Sequence, residues 1–233
     1  MKRTLSAAST CAWVGGSFDP PHLGHLALAR SARLALGLDR VRMMPTGMSW
    51  QKAHTRGEAS ASPAQRLAML ERLIPDPERG WLDVDPREVR RYAADAQPTY
   101  TIDTLRELAE EYPDTRRVLI LGADQLRNLA TWKDYEGLLD HAHLAVTTRP
   151  GFGLQQLPPA IEGLLRDYGS DHLGAGTSGS IVIFAMPPVP VSSTDLRQDL
   201  ARNTAPVEFL GAALLNYIRD EGLYRGPPLA QGA

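Results

Sequence analysis

Near the start of the chain the string Gly15-Gly16-Ser17-Phe18-Asp19-Pro20-Pro21-His22-Leu23-Gly24-His25 follows the short apolar run Cys11-Ala12-Trp13-Val14. It reads as a strand, a glycine turn and a helix start carrying two histidines on one helical face. The chemistry this suits is anion binding. Glycines let backbone come close to a phosphate, and the free N–H groups and dipole of a helix N-terminus favour negative charge. His22 and His25 are then expected to point at the same phosphates of a nucleoside triphosphate. Pro21 suits the first helical position, where no N–H is needed. A zinc pair fits less well, because the zinc-protease pattern needs a Glu between its histidines and Leu23-Gly24 stand there instead. The Gly-Lys-Ser/Thr phosphate loop does not occur, and this strand-to-helix turn is not a Gly-x-Gly-x-x-Gly.

A second anion site is written into Val191-Ser192-Ser193-Thr194-Asp195-Leu196-Arg197. Hydroxyl residues cap helices, and capping accounts for Thr194. It does not account for Arg197 one turn further on, whose guanidinium suits two-pronged binding of phosphate oxygens.

Alternating strands and helices must position these groups. The first helix runs from about His22 to Leu36 and stops at Gly37. Val41–Met44 reads as a second strand. Ser62-Pro63 start a helix that reaches about Ile74, and the polar stretch Thr46–Ser60 before it is long enough to be functional. Trp81–Val84 reads as a short strand, Thr101–Glu111 as a helix, and Val118–Leu121 and Leu144–Val146 as buried strands. Residues 169–180 read as a surface loop and Ile181–Phe184 as the last buried strand. Helices over Thr194–Arg202 and Pro206–Asp220 follow. The pattern predicts an α/β, doubly wound parallel sheet with ligands beyond the carboxyl ends of its strands. The Gly15–His25 turn, Asp124 and the Ser192 region each follow a strand and so share one rim.

With 233 residues, 43% hydrophobic content and a formal charge of −2, the chain suits a globular protein with no polynucleotide partner. No apolar run is long enough for a membrane helix. The single cysteine, Cys11, excludes a disulfide framework and points to the cytoplasm. Residues 1–225 read as one domain with a small C-terminal helical part from about 192, and 226–233 as a disordered tail. The sequence leaves the oligomeric state open, a homo-oligomer included.

The first string resembles the signature of the nucleotidyltransferase superfamily whose hallmark is His-x-Gly-His. The chain as a whole, from about 12 to 225, is similar to the bacterial nicotinate-nucleotide adenylyltransferase family. Val191-Ser192-Ser193-Thr194 with Arg197 matches that family's Ile-Ser-Ser-Thr-x-x-Arg. Pro98-Thr99-Tyr100-Thr101 resembles its Pro-Ser/Thr-Tyr-Thr segment. Gly122-Ala123-Asp124, Thr131-Trp132, Arg149-Pro150-Gly151 and Gly222-Leu223-Tyr224-Arg225 also fit. One stretch departs: Met48-Ser49-Trp50-Gln51-Lys52 stands where many members have Pro-Pro-His-Lys, with Lys52 in the lysine's place.

The resemblance implies a Rossmann-like nucleotidyltransferase fold that transfers the adenylyl group of ATP to nicotinate mononucleotide. Gly15, Gly16, Ser17, Phe18, His22, His25, Gly122, Asp124, Ser192, Ser193 and Arg197 would serve ATP. Asp19, Lys52, Thr99, Tyr100, Thr101 and Trp132 would serve the mononucleotide. His22, His25, Lys52 and Arg197 would stabilise charge during transfer, and Mg²⁺ would ride on the triphosphate rather than on protein ligands. Asp19 either touches ribose or caps the first helix, and a helix-cap role competes for Asp124. Trp132 stacks on a flat ring or belongs to the core. His54, His141 and His143 carry no motif, and Arg90-Arg91 read as a solvated face. A preference for nicotinamide mononucleotide, a pantetheine-phosphate substrate and a silent nucleotide sensor are the competing readings. The intact histidine pair with Arg197 favours an enzyme over a sensor.

Overall fold

The computed structural model describes residues 9–48, 61–148 and 154–225. The first apolar run becomes β1 (Thr10–Gly16), and α1 (Leu23–Leu36) follows the glycine turn and ends at Gly37 with φ 62°. β2 (Arg40–Pro45) comes next. α2 (Pro63–Leu73) is started by a reciprocal cap: Gln65 N–H donates to Ser62 Oγ and the Ser62 N–H to Gln65 Oε1. β3 (Leu82–Val84), α3 (Arg87–Asp95) and α4 (Thr101–Glu111) lead to β4 (Arg116–Gly122). Short helices α5 (Ala123–Arg127) and α6 (Leu138–His141) precede β5 (His143–Thr148). α7 (Pro159–Tyr168), β6 (Gly169–Ser170), β7 (Ile181–Ala185) and α8 (Ser193–Ala201) follow, then α9 (Val207–Leu210) and α10 (Ala212–Asp220).

Among the described residues seven strands form one sheet in the order β3-β2-β1-β4-β5-β7-β6. Every pairing is parallel, which bears out the doubly wound expectation. Side chains alternate across the sheet. Ala12 and Val14 enter a core with α1, α2 and α8 to α10, while Cys11 and Trp13 enter another with α4 to α7. Each fully buried large side chain, such as Leu26 or Ile102, contributes about 1.5–3 kcal/mol. Burial also pushes the Cys11 thiol up to about 12, so it stays a protonated core residue.

The structure corrects several expectations. Pro21 lies before α1, because the extended His22 (φ −154°) is the cap and Leu23 the first helical residue. The helix expected over Pro206–Asp220 is two, since Gly211 at φ 77°, ψ 154° breaks it. Residues 169–180 include strand β6, and β7 is only half covered, with Ile183 39% exposed. The sequence reading missed α3 and α7, which bury few apolar side chains: Val89 in one and Ile161 in the other.

His143, fully buried, closes the 171–180 segment onto β5. The Ser180 N–H donates to its Nδ1 at 3.1 Å, so the ring proton sits on Nε2 and donates to the Gly176 carbonyl at 3.0 Å. Burial holds its pKa below the ordinary value, with Arg116 and Arg117 adding to the effect and the Gly176 carbonyl opposing it. Because the folded pKa is depressed, the unfolded chain takes up the proton first as pH falls. The His143 contribution is whole above about 6.5 and is lost on going down through the folded value. Thermal melts at about pH 7.5 and about pH 5.5 should show a larger drop in Tm for the parent than for His143→Gln.

Candidate active site

The strand order reverses between β1 and β4, and a cavity of about 360 Å³ opens over their carboxyl ends. Open parallel sheets bind ligands at this position. One wall is the Gly15–Phe18 loop with His25, and the floor includes Leu121 and Gly122. The far wall carries Glu88, Thr99–Thr101, Trp132 and Lys133.

The first wall is built by close approaches. Phe18 takes a left-handed φ of 50° and turns its buried ring over Gly16, where a Cβ would stand 3.1 Å from Phe18 Cζ. The same ring meets His25 edge to face, with centroids 4.9 Å apart. The His22 N–H donates to His25 Nδ1 at 3.1 Å. That nitrogen therefore offers its lone pair, and Nε2 carries the proton of the neutral ring. The His22 ring is 6% exposed and stacks on His25 at 3.8 Å. His25 lines the cavity, and His22 lies buried behind it. Gly24 makes this stacking feasible, since a Cβ there would lie 2.9 Å from His22 Nδ1 and 3.2 Å from Val191.

Arg66, from α2, had no motif to announce it. Its buried guanidinium donates to four backbone carbonyls: Ser17 at 2.7 Å, Thr46 at 2.7 Å, Gly47 at 2.8 Å and Ala61 at 3.3 Å. Burial lowers its pKa while Asp19 raises it. One side chain thus ties the phosphate-type loop to the residues on either side of 49–60.

The C-terminal helices close on the same loop. Arg197 Nη1 donates to the Asp19 carbonyl at 2.9 Å, and Ser193 Oγ to the Pro20 carbonyl at 2.9 Å. Ser192, not Thr194, caps α8, accepting from the Asp195 N–H at 3.1 Å; its extended backbone lets the hydroxyl reach back over the first turn. The Asp19 carboxylate, 5% exposed, accepts from the Tyr224 hydroxyl at 2.5 Å and the Ala61 N–H at 3.1 Å. These bonds turn that carboxylate inward, and it does not cap α1, whose cap is His22. Burial, then the Asp19 charge, raises the Tyr224 phenol, which stays a donor.

On the far wall Tyr100 caps α4, with Thr101 as its first residue and no side-chain oxygen on the cap amides. Trp132 is half-buried against the core, and its buried Nε1 makes no hydrogen bond among the described residues. Lys133 Nζ sits 4.7 Å from the Tyr100 ring centroid and 2.9 Å from Asp103 Oδ2. Glu88 was also missed; it is 4% exposed and accepts from Thr99 Oγ1 at 3.1 Å and Thr104 Oγ1 at 2.9 Å. Burial lifts its carboxyl above the ordinary value, while the two hydroxyls and Arg91 oppose that. Arg91 is half-buried and donates to Thr104, so only Arg90 fits the solvated-face expectation. Asp124 is exposed on the first turn of α5, which Gly122 caps, and is not on the cavity wall. His143 is core, as described above. Lys52, His54 and Arg149-Pro150-Gly151 lie outside the described residues, as does 226–233. No helix among the described residues is long and apolar enough to cross a membrane.

Comparisons with known proteins agree with this fold. The family described as Cytidylyltransferase-like matches residues 13–199. A Chromobacterium violaceum protein named "Probable nicotinate-nucleotide adenylyltransferase" is 42% identical over 214 residues, covering 91% of this chain and 96% of its own length. An Aeromonas salmonicida protein of the same name is 40% identical over 214 residues, covering 91% and 95%. Among solved structures, Plasmodium falciparum nicotinic acid mononucleotide adenylyltransferase complexed with NaAD superposes with a TM-score of 0.67. It shares 16% identity, over 93% of this chain and 97% of that one, which establishes likeness of fold.

Replacing Arg66 strands four carbonyls, those of Gly47 and Ala61 buried and those of Ser17 and Thr46 partly so. Arg66→Met should lower unfolding free energy by about 2–4 kcal/mol, measured by urea denaturation, and Arg66→Lys should recover only part of the loss because an ammonium lacks the planar fork.

Proposed function

The chain belongs to the nicotinate-nucleotide adenylyltransferase family of the cytidylyltransferase-like enzymes, and from that premise we propose how its residues carry out the reaction. The enzyme transfers the adenylyl group of ATP to nicotinate mononucleotide, giving nicotinate adenine dinucleotide and pyrophosphate for NAD biosynthesis. A phosphate oxygen of the mononucleotide forms a bond to the α-phosphorus as the bond to the β-phosphate bridging oxygen breaks in line. The attacking phosphate is already ionised near neutrality, so no protein base is required. Positioning and charge stabilisation supply the rate.

In this reading the amides of Gly15–Phe18 and the N-terminus of α1 hold the triphosphate. His25, with its proton on Nε2, donates to the oxygens of the transferring group. His22 supports it from behind. Arg197, Ser192 and Ser193 serve the β- and γ-phosphate end, and Gly122 and Asp124 the adenosine. The pyridine ring stacks on Trp132, whose Nε1 is left to meet a ligand acceptor. Its carboxylate takes the N–H groups at Tyr100 and Thr101, where the α4 dipole favours an anion. Lys52 adds charge to the mononucleotide phosphate.

Mg²⁺ is proposed to enter on the ATP phosphates. Among the described residues no group of three or more His, Cys, Asp or Glu side chains is placed to hold a metal, and Mg²⁺ takes phosphate oxygens and waters readily. We place the whole reaction in one domain spanning 1–225. The observation that carries the reading is the meeting, at the β1/β4 switch, of a wall made by the Gly15–Phe18 loop and His25 with one made by Thr99–Thr101 and Trp132.

Pyrophosphate release with ATP and Mg²⁺ tests it. Nicotinate mononucleotide should exceed nicotinamide mononucleotide and 4′-phosphopantetheine in kcat/KM by at least about tenfold. Preference for the amide would overturn the substrate, and silence with all three despite ATP binding would favour a sensor. His25→Ala should lose about 10²- to 10³-fold in kcat while still binding ATP.

A further inference from the structure

We propose that Glu88 is a positioning residue for the pyridine half of the site, holding the α4 N-terminus at the cavity through the hydroxyls of Thr99 and Thr104. This rests on the reading that the ring and its carboxylate occupy the Trp132 and Tyr100–Thr101 wall.

The two hydroxyls bracket the first turn of α4. Thr99 precedes the cap residue Tyr100, and Thr104 makes the first helical hydrogen bond, its N–H donating to the Tyr100 carbonyl at 3.2 Å. A carboxylate can only accept, so both hydroxyls must turn toward it, one to each oxygen. The bonds span a gap in the chain: Glu88 lies in the first turn of α3, where the helix dipole favours its charge. Arg91, one turn on, donates to the Thr104 hydroxyl at 3.2 Å and pairs with Glu107 at 2.6 Å, tying α3 to α4 a second time.

Thr99 is also tethered by its backbone, its N–H donating to the Met48 carbonyl at 3.2 Å. The peptide from Thr99 to Thr101 is therefore fixed at both ends, and the N–H groups of Tyr100 and Thr101, residues that line the cavity, are ready-made donors to the ring carboxylate. Nothing on the phosphate wall contacts Glu88 by a hydrogen bond among those described. A carboxylate kept at the cavity edge close to an anionic ligand makes sense in this role, because its charge is spent on two hydroxyl donors rather than turned to the ligand.

Steady-state kinetics with both substrates varied separately tests the assignment. Glu88→Ala should raise KM for nicotinate mononucleotide about 10- to 100-fold and leave KM for ATP within about twofold. Glu88→Gln, which can accept from one threonine and donate to the other, should restore most of the difference. Should Glu88→Ala fail to fold, Thr104→Val decides, since it keeps the carboxylate and removes one arm; it should raise the same KM several-fold. The two KM values changing together, or an unchanged ratio in every variant that folds, overturns the proposal. A lower KM for the mononucleotide in Glu88→Gln also overturns it, since that marks Glu88 as repelling the ring carboxylate. Trp132→Ala separates the premise from the proposal. If it leaves KM for the mononucleotide unchanged, the ring lies elsewhere and the premise falls; if it raises that KM while the Glu88 and Thr104 variants do not, only the positioning role falls.

Discussion

One buried guanidinium gathers the carbonyls of Ser17, Thr46, Gly47 and Ala61, and the architecture of the site depends on that convergence. A turn that exposes its amides to a phosphate must direct its carbonyls elsewhere. Buried carbonyls without donors cost free energy comparable to lost hydrogen bonds. Arg66 resolves this conflict with a flat fork of five donors that a lysine does not have. Because its bonds reach residues on both sides of 49–60 as well as the phosphate-type loop, the three segments share one reference point. The Gly15–Phe18 loop that lines the cavity is then held in place before any ligand arrives, which is the condition for electrostatic stabilisation without reorganisation.

The two walls are made by different physics. The phosphate side is backbone and imidazole, set by close contacts that leave little room for a Cβ at position 16 and would force a shift at position 24. The far side is a helix N-terminus and an indole, kept in register by side-chain hydrogen bonds between α3 and α4. The first arrangement suits many oxygens of one charged group, which can slide among donors. The second suits a flat ring with a single carboxylate, whose recognition requires a fixed plane and a fixed pair of amides. A strand-order reversal brings the two together without either needing long insertions.

The parts of this that were legible in the sequence are those carried by local spacing. Gly15 to His25, the Ser62-Pro63 helix start, the run into Gly122 and the hydroxyls before Arg197 each sit where short-range chemistry puts them; Gly15 to Phe18, His25 and Gly122 line the cavity at the β1/β4 switch, while Ser193 and Arg197 brace the turn between β1 and α1 from outside it. Three groups that organise the site had partners that were not legible, Tyr224 among them although its string fits the family. Arg66, Glu88 and Tyr224 find partners 49, 11 to 16 and 205 residues away respectively, and no periodicity encodes such pairs. α3 escaped notice for a related reason: Glu88, one of its two buried residues, is charged, so the apolar stripe that marks a helix is nearly absent. His22 shows a subtler limit. Spacing placed both histidines on one face, yet the capping bond between them turns one ring into the support of the other.

The tie between Tyr224 and Asp19 has a consequence for how the molecule comes into being. Of the described tethers of Asp19, the Ala61 N–H lies 42 residues further along the chain, whereas Arg197 and Tyr224 follow 178 and 205 residues later, and Ser193 holds the neighbouring Pro20 from 173 residues on. Strands β1 to β5 and their helices can assemble during translation, since their contacts are shorter in range. The loop from Gly15 to Pro20 nonetheless lacks the hold of Ser193, Arg197 and Tyr224 until the last helices arrive and dock. A nascent chain therefore carries a sheet long before it carries the finished turn between β1 and α1, which is complete only once synthesis has passed Tyr224.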